Sequence, residues 1–194
     1  MEEKDLTEKL YDIFEATMPA LENITNGFLT QNQTMLQQGE AQFVEILSSN
    51  LSFAEKIITE NQKSEADKRF LSLLVPLQKI ASAVRSLMAK QEMILRRDIT
   101  FSVMAITEIT ELLTVMKRQF RDTRDLILTK NPSLKEIVKS ETERIIKRAD
   151  TFLLAHQERL IAGACATKAS YLYLDIIGSI KAVAQELVSF AERI

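Results

Sequence analysis

The chain has 194 residues, 46% of them hydrophobic, and its 25 Lys and Arg nearly balance 27 Asp and Glu, for a formal net charge of -2. That length suits one domain or two closely packed halves, and the charge balance excludes bulk attraction to nucleic acid or to an anionic membrane. Four Gly, three Pro and no Trp are too few turn residues for a sheet protein, so the composition predicts long helices.

Apolar residues recur at helical spacing in six stripes. The first runs Leu6, Leu10, Ile13, Phe14, Thr17, Leu21, Ile24, Phe28 and the second Leu36, Phe43, Leu47, Leu51, Ala54, Ile58. Ser64 and Asp67 resemble a capping box ahead of the third, which runs Phe70, Leu73, Leu74, Leu77, Ile80, Val84, Leu87. Pro76 interrupts this stripe and predicts a kink with a freed carbonyl near Ser72. No Gly or Pro separates Gln91 from Asp98, so the third and fourth helices are expected to run nearly into each other. The fourth stripe is Ile99, Val103, Ile106, Ile109, Leu113, Met116, Phe120. Asn131-Pro132-Ser133 starts the fifth helix, either through Asn131 as the cap or through a Ser133–Glu136 box. The fifth stripe is Leu134, Val138, Ile145, Ala149, Phe152, His156, Leu160. Gly163 offers a positive-φ turn before the sixth, Leu174, Ile177, Ile180, Ala184, Leu187, Ala191.

The two halves look like weak repeats. Leu29-Thr30-Gln31-Asn32 ends the first helix as Leu128-Thr129-Lys130-Asn131 ends the fourth, and Ala66-x-Lys68 opens the third as Ala166-x-Lys168 opens the sixth. The expected fold is all-α: six long antiparallel helices arranged as two three-helix repeats, 1–95 and 96–194.

Cys165 is the lone cysteine, which excludes an intramolecular disulfide and fits a reducing compartment. Met1-Glu2-Glu3-Lys4-Asp5 lacks the basic segment and apolar core of a secretory signal. No uninterrupted apolar run approaches the ~20 residues of a membrane span. The expectation is a soluble, cytoplasmic protein, at most peripheral to a membrane.

Candidate chemistry is sparse. His156, the single histidine, lies on the fifth stripe and reads as a core or turn-packing residue. It excludes two-histidine zinc motifs and ferritin-like Glu-x-x-His pairs. Cys165 lacks a neighbouring base with an acidic orienting partner in sequence, so it reads as structural. Glu108 and Glu111, and Asp122 and Asp125, are spaced for a cation but read as solvated helix faces. Lys117, Arg118, Arg121 and Arg124 form the densest basic face, and Arg144, Lys147 and Arg148 a second one. If their helices pair antiparallel the two adjoin as a patch for an acidic partner, diluted by Asp122, Asp125, Glu141 and Glu143. No aromatics alternate with these cations, so they are not a nucleic-acid signature. The methionines read as core filler, and no Gly-rich phosphate loop exists.

The second half carries a resemblance. Ile99-Thr100-Phe101-Ser102 with Ala105, Glu108, Ile109 and Leu112, then His156-Gln157-Glu158-Arg159-Leu160 with Gly163 and Cys165, then Tyr173-Leu174-Asp175-Ile176-Ile177 and Val188-Ser189-Phe190-Ala191-Glu192, resemble the PhoU-like family of phosphate-uptake regulators. The closest likeness is to the PhoU-like domains of sodium–phosphate cotransporters. The resemblance implies a non-enzymatic regulator or adaptor that docks on a phosphate transporter or a phosphate-sensing kinase at the membrane, often as a homodimer. The family's paired Glu-x-x-x-Asp metal ligands fall here on Gln78 and Ser82 in the first half and on Lys181 and Gln185 in the second, and its middle-helix acid on Ile145-Ile146. Amides, a hydroxyl and a cation replace anionic ligands, so no metal and no cofactor are expected. The other readings are a metal protein with an iron or zinc cluster, and a helical structural or dimerisation module without any link to phosphate.

Overall fold

The structure, a computed structural model, describes residues 3–59 and 64–194 without the side chains of Glu3, Leu51, Ser52, Phe53 and Lys56. The Leu51 position of the second stripe therefore lies outside the described residues. Six helices follow in order: α1 Glu3–Leu29, α2 Gln33–Thr59, α3 Glu65–Arg96, α4 Val103–Thr129, α5 Pro132–Ile161 and α6 Thr167–Ala191. No strand occurs among the described residues, and the fold is the all-α bundle expected.

The helix ends show why the chain breaks where it does. The Ser64 hydroxyl accepts from the Asp67 amide at 3.1 Å while the Asp67 carboxylate accepts from the Ser64 amide at 2.8 Å, a complete capping box. Asn131 caps α5 through the Ser133 amide at 3.0 Å, so Asn131, rather than Ser133 with Glu136, is the cap. Gln31 and Lys130 stop α1 and α4 in the same left-handed conformation, φ 51 and 50. The amides of Met35 and Ser133 then donate to the Asn32 and Asn131 side chains that follow. Gly163 takes φ 69 in the turn before α6.

The third and fourth helices do not run together. Asp98 turns left-handed at φ 48, and Ser102 caps α4 by accepting from the Ala105 amide. A polar residue in left-handed geometry followed by a serine cap thus breaks the chain without Gly or Pro. Ile99 lies in this connection rather than in a helix. Pro76 remains inside α3, and the Ser72 carbonyl it cannot serve accepts from Arg193 Nη1 at 3.0 Å.

Cross-helix pairs fix the directions. Glu22–Lys117 and Glu15–Arg124 set α1 antiparallel to α4, and Lys79–Glu186 and Lys90–Asp175 set α3 antiparallel to α6. Helices α4, α5 and α6 pack mutually, whereas α2 packs on α1 and only lightly on α3. One core runs through all six helices, with Phe14 between Phe120 and Phe190 at ring distances of 5.8 and 5.0 Å. An 18-residue window of α3 is apolar enough to cross a membrane by length and composition, but its Phe70, Leu73, Ile80, Val84 and Leu87 are core residues.

Four stripe positions prove exposed: Ile58 (Ile57 is the buried residue there), Val103, Leu160 and Leu174. Val103 and Leu160 belong to the first and last turns of their helices, where the bundle no longer covers the stripe, whereas Leu174 lies inside α6 and falls just off the face buried by Leu172, Tyr173, Ile176 and Ile177.

Candidate functional site

Three places carry polar or open chemistry. The first is a groove between α2 and α3, floored by α1. Its volume is about 680 Å³. Phe14, Phe43, Leu47, Phe70, Leu77 and Ala81 line it, with Glu40 and Asn50 on the α2 side and Arg85 on the α3 side. Gln78 and Ser82, where the resemblance places metal acids, are exposed and also line the groove. Their counterparts in the second half sit differently. Lys181 donates to Asp150 at 2.7 Å and so ties α6 to α5, while Gln185 is exposed. Among the described residues no group of three or more His, Cys, Asp or Glu is placed to hold a metal ion.

The second place is a buried network at the α4–α5–α6 end. Glu108, 5% exposed, accepts from Arg159 Nη1 and Nη2 at 2.9 and 2.7 Å and from the Tyr173 hydroxyl at 2.5 Å. The His156 ring stacks on Tyr173 with centroids 4.4 Å apart, and Cys165 Sγ lies 4.0 Å from His156 Nδ1. Burial, then the Glu108 carboxylate, pushes the Tyr173 hydroxyl well above its usual pKa. The hydrogen bond to Glu108 does the same for Arg159. Burial and the neighbouring Arg159 cation lower His156, against the pull of Glu108. His156 is the core histidine expected. Glu108 corrects the sequence reading: it is a buried acceptor and not a solvated face. Cys165, half-buried, has His156 and Arg159 as spatial neighbours, although no base stands next to it in sequence.

The signal for Glu108 was present. Ala105, Ile109 and Leu112 place it on the buried face of its helix, and Arg159 follows His156 by one turn. The partners are 51 and 65 residues away, beyond the reach of local spacing.

The third place is the basic face. Arg118 and Arg144 both donate to Glu141, which joins the α4 and α5 cations as the antiparallel pairing requires. Arg124 donates to Glu15 and Asp125, and Arg148 to Glu111 while covering the Phe152 ring. Lys147 is exposed. The Lys117 ammonium holds Glu22 below the usual carboxylate range by hydrogen bonding. Lys117, Arg118 and Arg121 open onto a separate cleft against α1.

With this geometry in hand, comparison adds no relatives: no protein-family model matches the chain, and no curated protein matches it.

Proposed function

We propose that the protein is a non-enzymatic cytoplasmic adaptor that works by contact with other proteins, and that the α2–α3 groove receives an amphipathic helix of its partner. The observation that carries this reading is the groove: it is open, floored by core residues and long. The α2 wall from Glu40 to Ala54 and the α3 wall from Phe70 to Ala89 span about 21 and 28 Å at 1.5 Å per residue. A helix of four or five turns fits that length, with anchors at i, i+3 or i+4 and i+7. The banks differ in charge. Glu40 lies on the α2 bank and Arg85 on the α3 bank, so the partner helix needs a basic residue on one flank and an acidic one on the other.

The partner is proposed to be a phosphate transporter or a phosphate-sensing kinase on the membrane. That part rests on the residues of the second half that resemble PhoU-like proteins. Lys181 bound to Asp150 supports the reading over a metal protein, because a cation fills a position where a metal would need an acid.

The test is photo-crosslinking in cells with benzoylphenylalanine in place of Ser82, under phosphate-replete and phosphate-starved growth. Adducts with a phosphate-uptake membrane protein or its kinase, suppressed by Leu77→Arg, are expected. Adducts that survive Leu77→Arg would exclude the groove, and no such adduct under either condition would refute the adaptor reading.

A further inference from the structure

The cleft between α1 and α4 has a volume of about 350 Å³, and its lining holds three cations, Lys117, Arg118 and Arg121, against one carboxylate, Glu22. Met18 and Val115 supply an apolar wall. We propose that this cleft binds a phosphate monoester of a small organic molecule, with the phosphate on the three cations and the organic body against Met18 and Val115.

The cations share one face of α4. Lys117 and Arg121 are four residues apart, and Arg118 and Arg121 three, so their side chains stack over successive turns. Like charges at this spacing repel one another, and an anion between them relieves the repulsion. Their donors are mostly uncommitted. Lys117 gives one bond to Glu22, and Arg118 gives Nη2 to Glu141 at 2.8 Å. Arg121 has no ion pair among the described residues and is exposed. An ammonium has three N–H donors and a guanidinium five, so most remain for a ligand. Arginine forks match phosphate oxygens two at a time.

The acids nearby set the sign and size of the field. Glu22 already pairs with Lys117, and Glu141 takes both Arg118 and Arg144. Asp122 lies beside Arg121 and Arg118 and is partly withdrawn from water, which raises its pKa against the pull of the two arginines. These groups offset part of the positive charge, while the cleft lining itself keeps its excess of cations. Thr114 is not a donor here, because its hydroxyl is spent on the Thr110 carbonyl at 2.8 Å. Charge, and not hydroxyl recognition, therefore selects the ligand.

Size decides between a bare oxyanion and an ester. The cleft falls at the small end of ligand pockets, about 300–1,000 Å³. It holds the equivalent of roughly twelve waters at about 30 Å³ each, more than a single tetrahedral anion fills. The half-buried Met18 and Val115 gain nothing from a bare anion but are covered by an organic body.

Phenyl phosphate, inorganic phosphate and phenol are titrated against the full chain by calorimetry at low and moderate salt. Phenyl phosphate is expected to bind saturably at one site, more tightly than inorganic phosphate, with phenol silent and affinity falling as salt rises. Arg121→Gln is expected to weaken it roughly tenfold or more, the loss of a charge-assisted hydrogen bond. Arg121 is exposed, so this variant should melt like the parent. Val115→Ser, which removes apolar surface without adding charge, should weaken the ester more than inorganic phosphate. No saturable binding, binding indifferent to Arg121→Gln, or phenol binding as well as its phosphate would each overturn the site. Inorganic phosphate binding as tightly as the ester would overturn the assignment of the organic body. None of these outcomes bears on the α2–α3 groove, since no partner protein is present.

Discussion

Replacing Glu108 tests the buried network most directly. In Glu108→Ala the Tyr173 hydroxyl, fully buried, loses its acceptor, and an orphaned buried donor costs about 1–3 kcal/mol. The Arg159 guanidinium loses both of its bonds to the carboxylate. Its side chain is 22% exposed, so it can recover some hydration and the penalty for a stranded charge is partial. Together these place Glu108→Ala at about 3–5 kcal/mol, the range for breaking one side of a buried ion pair. Tyr173→Phe removes a single hydrogen bond to a charged group and should cost about 1.5–3 kcal/mol. Arg159→Ala strands Glu108 and should match or exceed the Glu108 variant, because the carboxylate is the more deeply buried partner. Urea unfolding followed by circular dichroism reads these as shifts in midpoint at constant slope, and the Glu108–Arg159 double-mutant cycle should show coupling of about 0.5–3 kcal/mol. A Glu108→Ala cost below about 1 kcal/mol with no coupling would mean that the carboxylate is solvated, and the network described above would be wrong.

Four further outcomes follow from single residues. His156 is held below its usual pKa, chiefly by burial, so the unfolded chain takes up the proton first. Stability should be level above the unfolded value of about 6.5 and fall as pH drops through the window below it. His156→Phe should flatten that slope in melting temperatures taken between about pH 5 and 7. A Cβ on Gly39 would sit 2.9 Å from the Ala20 carbonyl oxygen and 2.9 Å from Ile24 Cγ1, whereas one on Gly178 meets nothing within 4 Å. Gly39→Ala should therefore destabilise, because overpacking of about 1–3 kcal/mol outweighs a propensity gain of up to about 1 kcal/mol. Gly178→Ala should stabilise by about 0.5–1 kcal/mol, and both signs can be read from urea midpoints. Gln91 is 1% exposed, and neither end of its amide has a partner among the described residues. Gln91→Met should raise the unfolding free energy by about 1 kcal/mol or more, read as a higher urea midpoint, and an unchanged or lower midpoint would show that the amide is satisfied.

The helices were legible because burial on one face writes a 3.6-residue period into any sequence. Caps were legible where the partner is three residues away, as with Ser64 and Asp67. Two kinds of feature were not. The stripe failed at Val103 and Leu160 because periodicity continues to a helix's end while the cover from neighbouring helices does not, and at Leu174 because the buried face of α6 is centred on Tyr173, Ile177 and Ile180 and stops short of it. Glu108 and the groove failed for another reason. A carboxylate is buried only when Arg159 and Tyr173 arrive from other helices, and a groove exists only because α2 stands off from α3. Both depend on distances between helices, which no single stripe encodes. The freed Ser72 carbonyl lies between these cases: Pro76 announced it, but its donor Arg193 came from the other end of the chain.

The two ends of this bundle are held to different degrees, which bears on how a partner could be admitted. In the second half the Gln119 amide donates to the Val138 carbonyl, the Thr142 hydroxyl and the Ala184 carbonyl, so one buried side chain ties α4, α5 and α6. The Glu108 network and the Lys181–Asp150 pair add two further ties. Helix α3 is held from the same side by Lys79–Glu186, Lys90–Asp175 and Arg193 on the Ser72 carbonyl. Helix α2 has the Asn23–Gln42 bond to α1 at 3.0 Å and the close approach of Gly39, with only light packing on α3. A helix entering the groove can therefore be accommodated by α2 moving on α1 while the other helices stay fixed. Amide hydrogen exchange should show that asymmetry in the free protein, with α2 opening at lower free energy than α4 or α6. On engagement of the partner, protection should rise along α2 and the groove wall of α3 and remain unchanged in α5. Equal protection of α2 and α4 in the free chain would mean that the groove is a rigid slot, and the partner helix would then have to match it without any adjustment.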